Sequence, residues 1–180
     1  MSDNLPKVHT WYLDTSVLLR ALLGESPSAL TWLNSALARG DQFYSSYLIE
    51  TETLRTLHNL HITGGGADLP DTSGARSWLD RVNRVDVTKA ILDDAARLAA
   101  TIRTADAIHL ATAAALGSTM PVLTHDAQMA KAALALGAHP LHPRQFTVRD
   151  PVDDDPGSPP VAAAPGTPES PVQTDPGEDA

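Results

Sequence analysis

The chain has no cysteine. Disulfides, thiolate zinc sites and cysteine nucleophiles are therefore excluded, and a reducing compartment fits. Long apolar runs are also missing. Candidate stretches such as Ala90–Ala100 are broken by Asp and Arg, well short of the ~20 apolar residues that a membrane span needs. Met1–Thr10 shows no basic stretch followed by an apolar one, so no signal peptide is read there. These absences predict a soluble, cytoplasmic protein with no membrane partner. Positive charge is scarce too: 13 basic residues face 22 acidic ones, for a net charge of −9. Eight of those acids and one base, Arg149, lie from Thr147 onward, so this segment carries −7 and the first 146 residues only −2. The deficit argues weakly against nonspecific coating of nucleic acid, and hardly against a site where metal bridges acid to phosphate.

The sharpest change in composition falls near Phe146. Beyond it lie eight of the 14 prolines, no aromatic residue and no periodic apolar face. Such a segment buries too little to offset the entropy of ordering, and is expected to be disordered. The predicted organisation is one folded domain over residues 1–146 and an acidic, proline-rich tail over 147–180. The tail serves solubility, or else touches a partner or screens the site.

What is present is an alternation of short apolar runs with helical stretches, the pattern of a parallel sheet covered by helices. Strands are predicted at Val8–Leu13, Gln42–Ser45, Pro121–Leu123 and Pro140–Leu141. The first is nearly unbroken in its apolar character, as in a strand buried on both faces. Helices are predicted from Ser16, over Ser28–Arg39 with a stop at Gly40, over Tyr47–Leu60, near Ser77–Val82, over Thr88–Ala100, over Ala105–Leu116 with Thr104 as N-cap, and over Ala127–Leu136. Thr63–Gly74, with its run of three glycines, reads as a flexible loop.

The acids fall at telling places on this frame. Asp14 ends the first strand and Asp126 follows the Pro121–Leu123 strand, where ligands bind in doubly wound sheets. Asp106 sits in the first turn of an otherwise apolar helix. Three carboxylates facing one sheet edge would repel each other without a cation between them, so metal is the economical explanation. On the helix from Tyr47, Glu50 and Glu52 point about 200° apart, and Glu52 lies near Leu48 and Arg55 in angle, which favours it for the pocket. Each acid alone has a plainer explanation. Asp14 and Asp126 could cap helices, Asp106 could complement a helix dipole, and Glu52 could be a solvated surface residue. No one of these covers all four. Hard oxygen ligands select Mg²⁺ or Mn²⁺, and such ions borrow further oxygens from a substrate phosphate.

The segments DTSVLLRALLG, SSYLIETETLRTL, TADAIHLATAAALG and VLTHDAQMAKAALALG, in this order and spacing, resemble the PIN-domain family, and the short form resembles the VapC-like toxins of type II toxin–antitoxin modules. The likeness runs from about Val8 to Pro143. Its frame, in which a serine precedes the acid by six residues and Leu-Arg follows it, fits Ser46, Glu52, Leu54 and Arg55. The resemblance implies an α/β fold, a PIN-like α/β/α sandwich with a central parallel sheet. It implies a Mg²⁺- or Mn²⁺-dependent endoribonuclease with Asp14, Glu52, Asp106 and Asp126 as its acidic quartet. Asp14 and Asp106 would be direct ligands, with Glu52 and Asp126 acting through water or at a second ion. Thr15, Ser16 and Thr124 match hydroxyl positions near the metal. RNA as substrate, a cognate antitoxin and a homodimer follow as expected partners. The glycine-rich insertion and the tail depart from the basic pattern.

The seven histidines form no metal motif. His58 and His61 share a helix face without a carboxylate at ligand spacing, His109 reads as a buried, hydrogen-bonded residue, and His125 could approach substrate. Ten arginines stand beside three lysines, a bias permissive of bidentate phosphate contacts. Arg20, Arg55, Arg76, Arg81, Arg84 and Arg103 are the candidates. Two other classes compete with a nuclease. A non-cutting PIN-like RNA- or protein-binding module gains nothing from repelling acids. A phosphatase working through a phosphoaspartate would need a second Asp where this chain has Ser16.

Overall fold

The first strand is buried on both faces from Trp11 to Leu13, but it begins at Thr10 and leaves Val8, expected within it, exposed. Trp11 and Leu13 join one apolar cluster and Tyr12 the other, all three with almost no exposure. This follows from the period of two along a strand, which sends alternate side chains to opposite sides of the sheet. The computed structural model describes residues 8–63, 72–98, 101–117, 120–136 and 148–149. Among these the order is β1 (Thr10–Leu13), α1 (Thr15–Leu22), α2 (Pro27–Ala38), β2 (Gln42–Ser46), α3 (Leu48–Thr63), α4 (Thr72–Leu79), β3 (Val82–Val85), α5 (Lys89–Arg97), α6 (Thr104–Leu116), β4 (Val122–Leu123), α7 (Ala127–Leu136) and β5 (Val148–Arg149).

The sheet is parallel throughout, in the order β3-β2-β1-β4-β5. One layer, with Val17 and Leu18 of α1, Trp32 and Leu33 of α2 and Trp78 of α4, packs on Trp11, Leu13 and Phe43. The opposite layer packs Leu110 and Ala113 of α6 and Met129 and Ala133 of α7 on Tyr12 and Val122. The expected α/β/α sandwich is present. Gly40 ends the turn after α2 with φ +89°, a conformation in which any side chain is strained. Buried Asp41 beside it accepts hydrogen bonds from the His9 amide, the Trp11 indole and Arg39, and so pins β1 to the start of β2.

Several expectations require correction. The helix expected near Ser77–Val82 ends at Leu79, and Val82–Val85 is instead an edge strand paired with β2. Its sequence, VNRV, has two polar residues between its valines, because an edge strand meets solvent and carries no continuous apolar run. The end of the expected Thr63–Gly74 loop is helical from Thr72. Arg103 rather than Thr104 occupies the N-cap position of α6. Val148–Arg149, expected in the tail, pair with β4. The expected strand Pro140–Leu141, most of the glycine-rich insertion and the remaining tail lie outside the described residues.

Candidate active site

Strand order reverses at β1: β2 follows on one side and β4, reached only after four further helices, lies on the other. The crevice beyond the carboxyl ends of two such strands is the usual ligand site of open parallel sheets. Asp14 leaves β1 at this point, its amide bonded to the Leu123 carbonyl of β4 at 3.0 Å. It holds the N-cap position of α1, yet its carboxylate makes no capping bond. Instead Oδ2 accepts from Ser16 Oγ and from Thr124 Oγ1, at 2.5 and 2.8 Å. The side chain is 4% exposed. Capping thus accounts for its place in the chain but not for where its charge points.

Glu52 enters the same crevice from α3. Its Oε2 accepts from Thr15 Oγ1 at 2.5 Å and lies 3.0 Å from His109 Nε2. On the far side of the imidazole, Nδ1 lies 2.9 Å from the Tyr12 hydroxyl and 3.2 Å from Ser46 Oγ. The Tyr12 oxygen in turn accepts from the Ser46 amide. Burial pushes the Tyr12 phenol well up, so it stays protonated and donates to Nδ1. This pattern assigns the imidazole proton to Nε2, from which it is donated to Glu52. Burial alone would raise the Glu52 carboxyl. The bonds from His109 and Thr15, with the electrostatic attraction of Arg103, outweigh it and hold the group below the usual carboxylate range. Glu50 faces another way and pairs with Arg84 at 2.6 Å.

Asp106 lies in the first turn of α6, 6% exposed. Arg103 holds it with Nε at 2.9 Å and Nη2 at 3.3 Å, and the same Nη2 reaches Asp126 Oδ2 at 2.9 Å. These bonds, with Asp106 foremost, raise the Arg103 guanidinium further above its ordinary value. Asp126 does cap: its Oδ1 accepts from the Gln128 and Met129 amides at the start of α7. Of the four acids expected together, Asp14, Glu52 and Asp106 line one cavity of about 290 Å³, whose walls also include Leu19, Arg55, Thr56, Asn59 and Arg103. Asp126 is joined to it through Arg103.

Among the described residues, no three His, Asp or Glu side chains are gathered tightly enough to form a ready-made ion cage. The donor set nonetheless fits a hard divalent cation. All its members are oxygens, and Mg²⁺ keeps several waters while taking one or two carboxylates and a substrate phosphate. The hydroxyls of Thr15, Ser16 and Thr124 are engaged in orienting the acids.

Two features of the candidate site escape a reading of sequence alone. Arg103, counted there as a phosphate contact, is the internal counter-ion of two acids. Its i, i+3 spacing to Asp106 on a helix start was the available signal. His109, expected to be buried, also braces Glu52; its partners Tyr12 and Glu52 are 97 and 57 residues away. His58 and His61 are exposed on α3 and, among the described residues, join no group of three that could hold a metal.

A model of the PIN domain matches residues 11–134, a span that takes in the whole cavity. The chain belongs to the PIN-domain family. This PIN domain is 32% identical over 106 residues to ribonuclease VapC47 of Mycobacterium tuberculosis (strain CDC 1551 / Oshkosh), covering 57% of this chain and 74% of the relative. Its fold matches a chain in the crystal structure of VapBC2 from Rickettsia felis bound to a DNA fragment from its promoter. The TM-score there is 0.55 with 14% identity, over 78% of this chain and 98% of the other. A chain of a toxin–antitoxin complex from Klebsiella pneumoniae aligns with a TM-score of 0.48 at 16% identity, over 78% and 97%. No helix among the described residues of the PIN domain is long and apolar enough to cross a membrane.

Proposed function

We propose that this PIN domain is a Mg²⁺- or Mn²⁺-dependent endoribonuclease, the toxin of a toxin–antitoxin pair. The observation that carries the reading is the meeting of Asp14, Glu52 and Asp106 in one cavity at the sheet's switch point. A chain 32% identical to a ribonuclease supports it.

Asp14 and Asp106 would hold the cation directly, and Glu52 and Asp126 through water. When bound, the ion supplies Lewis-acid polarisation of the phosphodiester and a water of lowered pKa. The protein's own part is positioning. Ser16 and Thr124 both donate to Oδ2 and so fix the Asp14 carboxylate, and His109, locked by Tyr12 and Ser46, fixes Glu52. Arg103 neutralises Asp106 and Asp126 before a cation arrives, which offsets the cost of keeping an acid buried. Its side chain is 74% exposed, so water could solvate the guanidinium if a cation were to hold Asp106 instead.

A cognate antitoxin, a homodimeric state and a cytoplasmic setting belong to the same proposal. So does an acidic tail that begins after Arg149, past the last strand of the sheet, rather than at Thr147. The test is incubation of purified protein with total cellular RNA, with Mg²⁺ or Mn²⁺ and with EDTA, beside Asp106→Asn. Discrete fragments that require both metal and Asp106 are expected. Intact RNA under every condition, from folded protein free of antitoxin, would favour a non-cutting binding module.

A further inference from the structure

The acids are not the only polar groups lining the cavity. Along α3, Glu52, Arg55, Thr56 and Asn59 follow one another at i, i+3, i+4 and i+7, a single stripe on the helix. Arg55 stands about 4.5 Å and Asn59 about 10.5 Å along the axis from Glu52. The same cavity is lined by the acids and by this polar stripe, with Leu19 of α1 adding an apolar surface.

The arginines of the domain are mostly committed elsewhere. Arg39 pairs with Asp41, Arg84 with Glu50, Arg97 with Asp94, and Arg103 with Asp106 and Asp126. Arg81 lies over the Trp78 ring. Arg55 is exposed, lines the cavity, and has no ion pair or hydrogen bond among the described residues. The Thr56 hydroxyl and the Asn59 amide are likewise without partners among those residues. A cation and two uncommitted polar groups one to two turns from the acids suit the backbone of a single-stranded ribonucleotide. The guanidinium matches a phosphate, and the hydroxyl and amide match a ribose 2′-OH, which both donates and accepts.

Resting on the nuclease reading, we propose that Arg55, Thr56 and Asn59 form a subsite for the nucleotide next to the scissile bond. Arg55 contacts its phosphate, and Thr56 and Asn59 contact its 2′-OH. The subsite gives the enzyme hold on a strand whose phosphates the neighbouring acids would otherwise repel, and selects RNA over DNA at that nucleotide.

The test is cleavage of a labelled oligoribonucleotide spanning a site that the wild-type protein cuts in total RNA. Arg55→Gln is expected to raise KM about tenfold, with kcat nearly unchanged. The slope of log affinity against log salt should fall by about 0.7, the loss of one single-strand phosphate contact. Mn²⁺ affinity, measured by calorimetry, should stay as in wild type, and Arg55→Lys should recover part of the loss. A 2′-deoxy substitution at the flanking nucleotide should weaken the wild type and leave Asn59→Ala little changed. Unaltered KM and salt slope in Arg55→Gln, with wild-type cleavage intact, would overturn the subsite alone. A parallel loss of Mn²⁺ affinity would do the same, showing that Arg55 merely supports the acids. Failure of the wild type to cut any RNA would remove the nuclease reading, and the subsite with it.

Discussion

Arg103 grips the carboxylate of Asp106 with two nitrogens, Nε at 2.9 Å and Nη2 at 3.3 Å, across a single turn of helix. The pair is lopsided: the acid is buried and the guanidinium largely exposed. Arg103→Gln therefore leaves a buried charge with its chief partner gone, at a cost of about 1–3 kcal/mol to the metal-free protein. A bound cation takes over the same task, so the deficit should close when Mn²⁺ is added. Urea unfolding of both proteins in EDTA and in Mn²⁺ checks this; an equal deficit in the two media would show that Arg103 is no substitute for the ion.

Asp14 differs from Asp106 in having hydroxyl donors and, among the described residues, no cation at hydrogen-bonding distance. Asp14→Asn keeps an acceptor for Ser16 and Thr124 while removing repulsion within the acid cluster. Cleavage should be abolished, while the metal-free protein should gain about 1 kcal/mol, or ~3–5 °C in melting temperature. Thermal melts in EDTA decide it, and a clear loss of stability would mean that the charge itself holds the crevice together.

Much of this site was legible in the chain. Asp14 stood out because β1 is apolar on both faces and ends at it. Asp106 stood out because α6 carries scarcely another charge. Glu52 was separable from Glu50 because a helix turns two neighbours of that spacing to opposite sides, and Glu50 lies on Arg84. The pairing of Arg103 with Asp126, and the chain from Tyr12 through His109 to Glu52, were not legible. Both join residues far apart in sequence, and only the stacking of α6 on the sheet brings them together. β3 was missed for a different reason: an edge strand of four residues leaves too short a trace.

The two glutamates should part company in function. Glu50→Gln breaks a partly exposed ion pair and should cost under ~1 kcal/mol with cleavage retained. Glu52→Gln should lose cleavage. Single-turnover rates of the two variants measure the contrast, and the reverse ranking would place the wrong glutamate in the site.

Tyr12→Phe removes the donor to His109 and strands the buried Ser46 amide. The expected loss is about 1–3 kcal/mol of stability, with a fall in kcat larger than any change in KM, because Glu52 loses its fixed support. An unchanged kcat in folded protein would confine Tyr12 to packing.

Acid should expose the hold on Glu52. Its folded carboxyl lies below the ordinary value, so its contribution to stability is complete above the unfolded pKa and vanishes as pH falls through the folded one. In metal-free protein, the gap in unfolding midpoint between wild type and Glu52→Gln should therefore narrow as pH drops below the normal glutamate range. A gap that widens with acid would reverse the assigned direction.

In the proposed site, Asp14 and Asp106 would hold a catalytic cation directly and Glu52 through water. Calorimetric titration of Mn²⁺ into wild type, Asp14→Asn and Glu50→Gln tests it most directly. Binding in the wild type, weakened at least about tenfold in Asp14→Asn (some 1.4 kcal/mol) and unaltered in Glu50→Gln, is the predicted result. Equal Mn²⁺ binding by wild type and Asp14→Asn would contradict it.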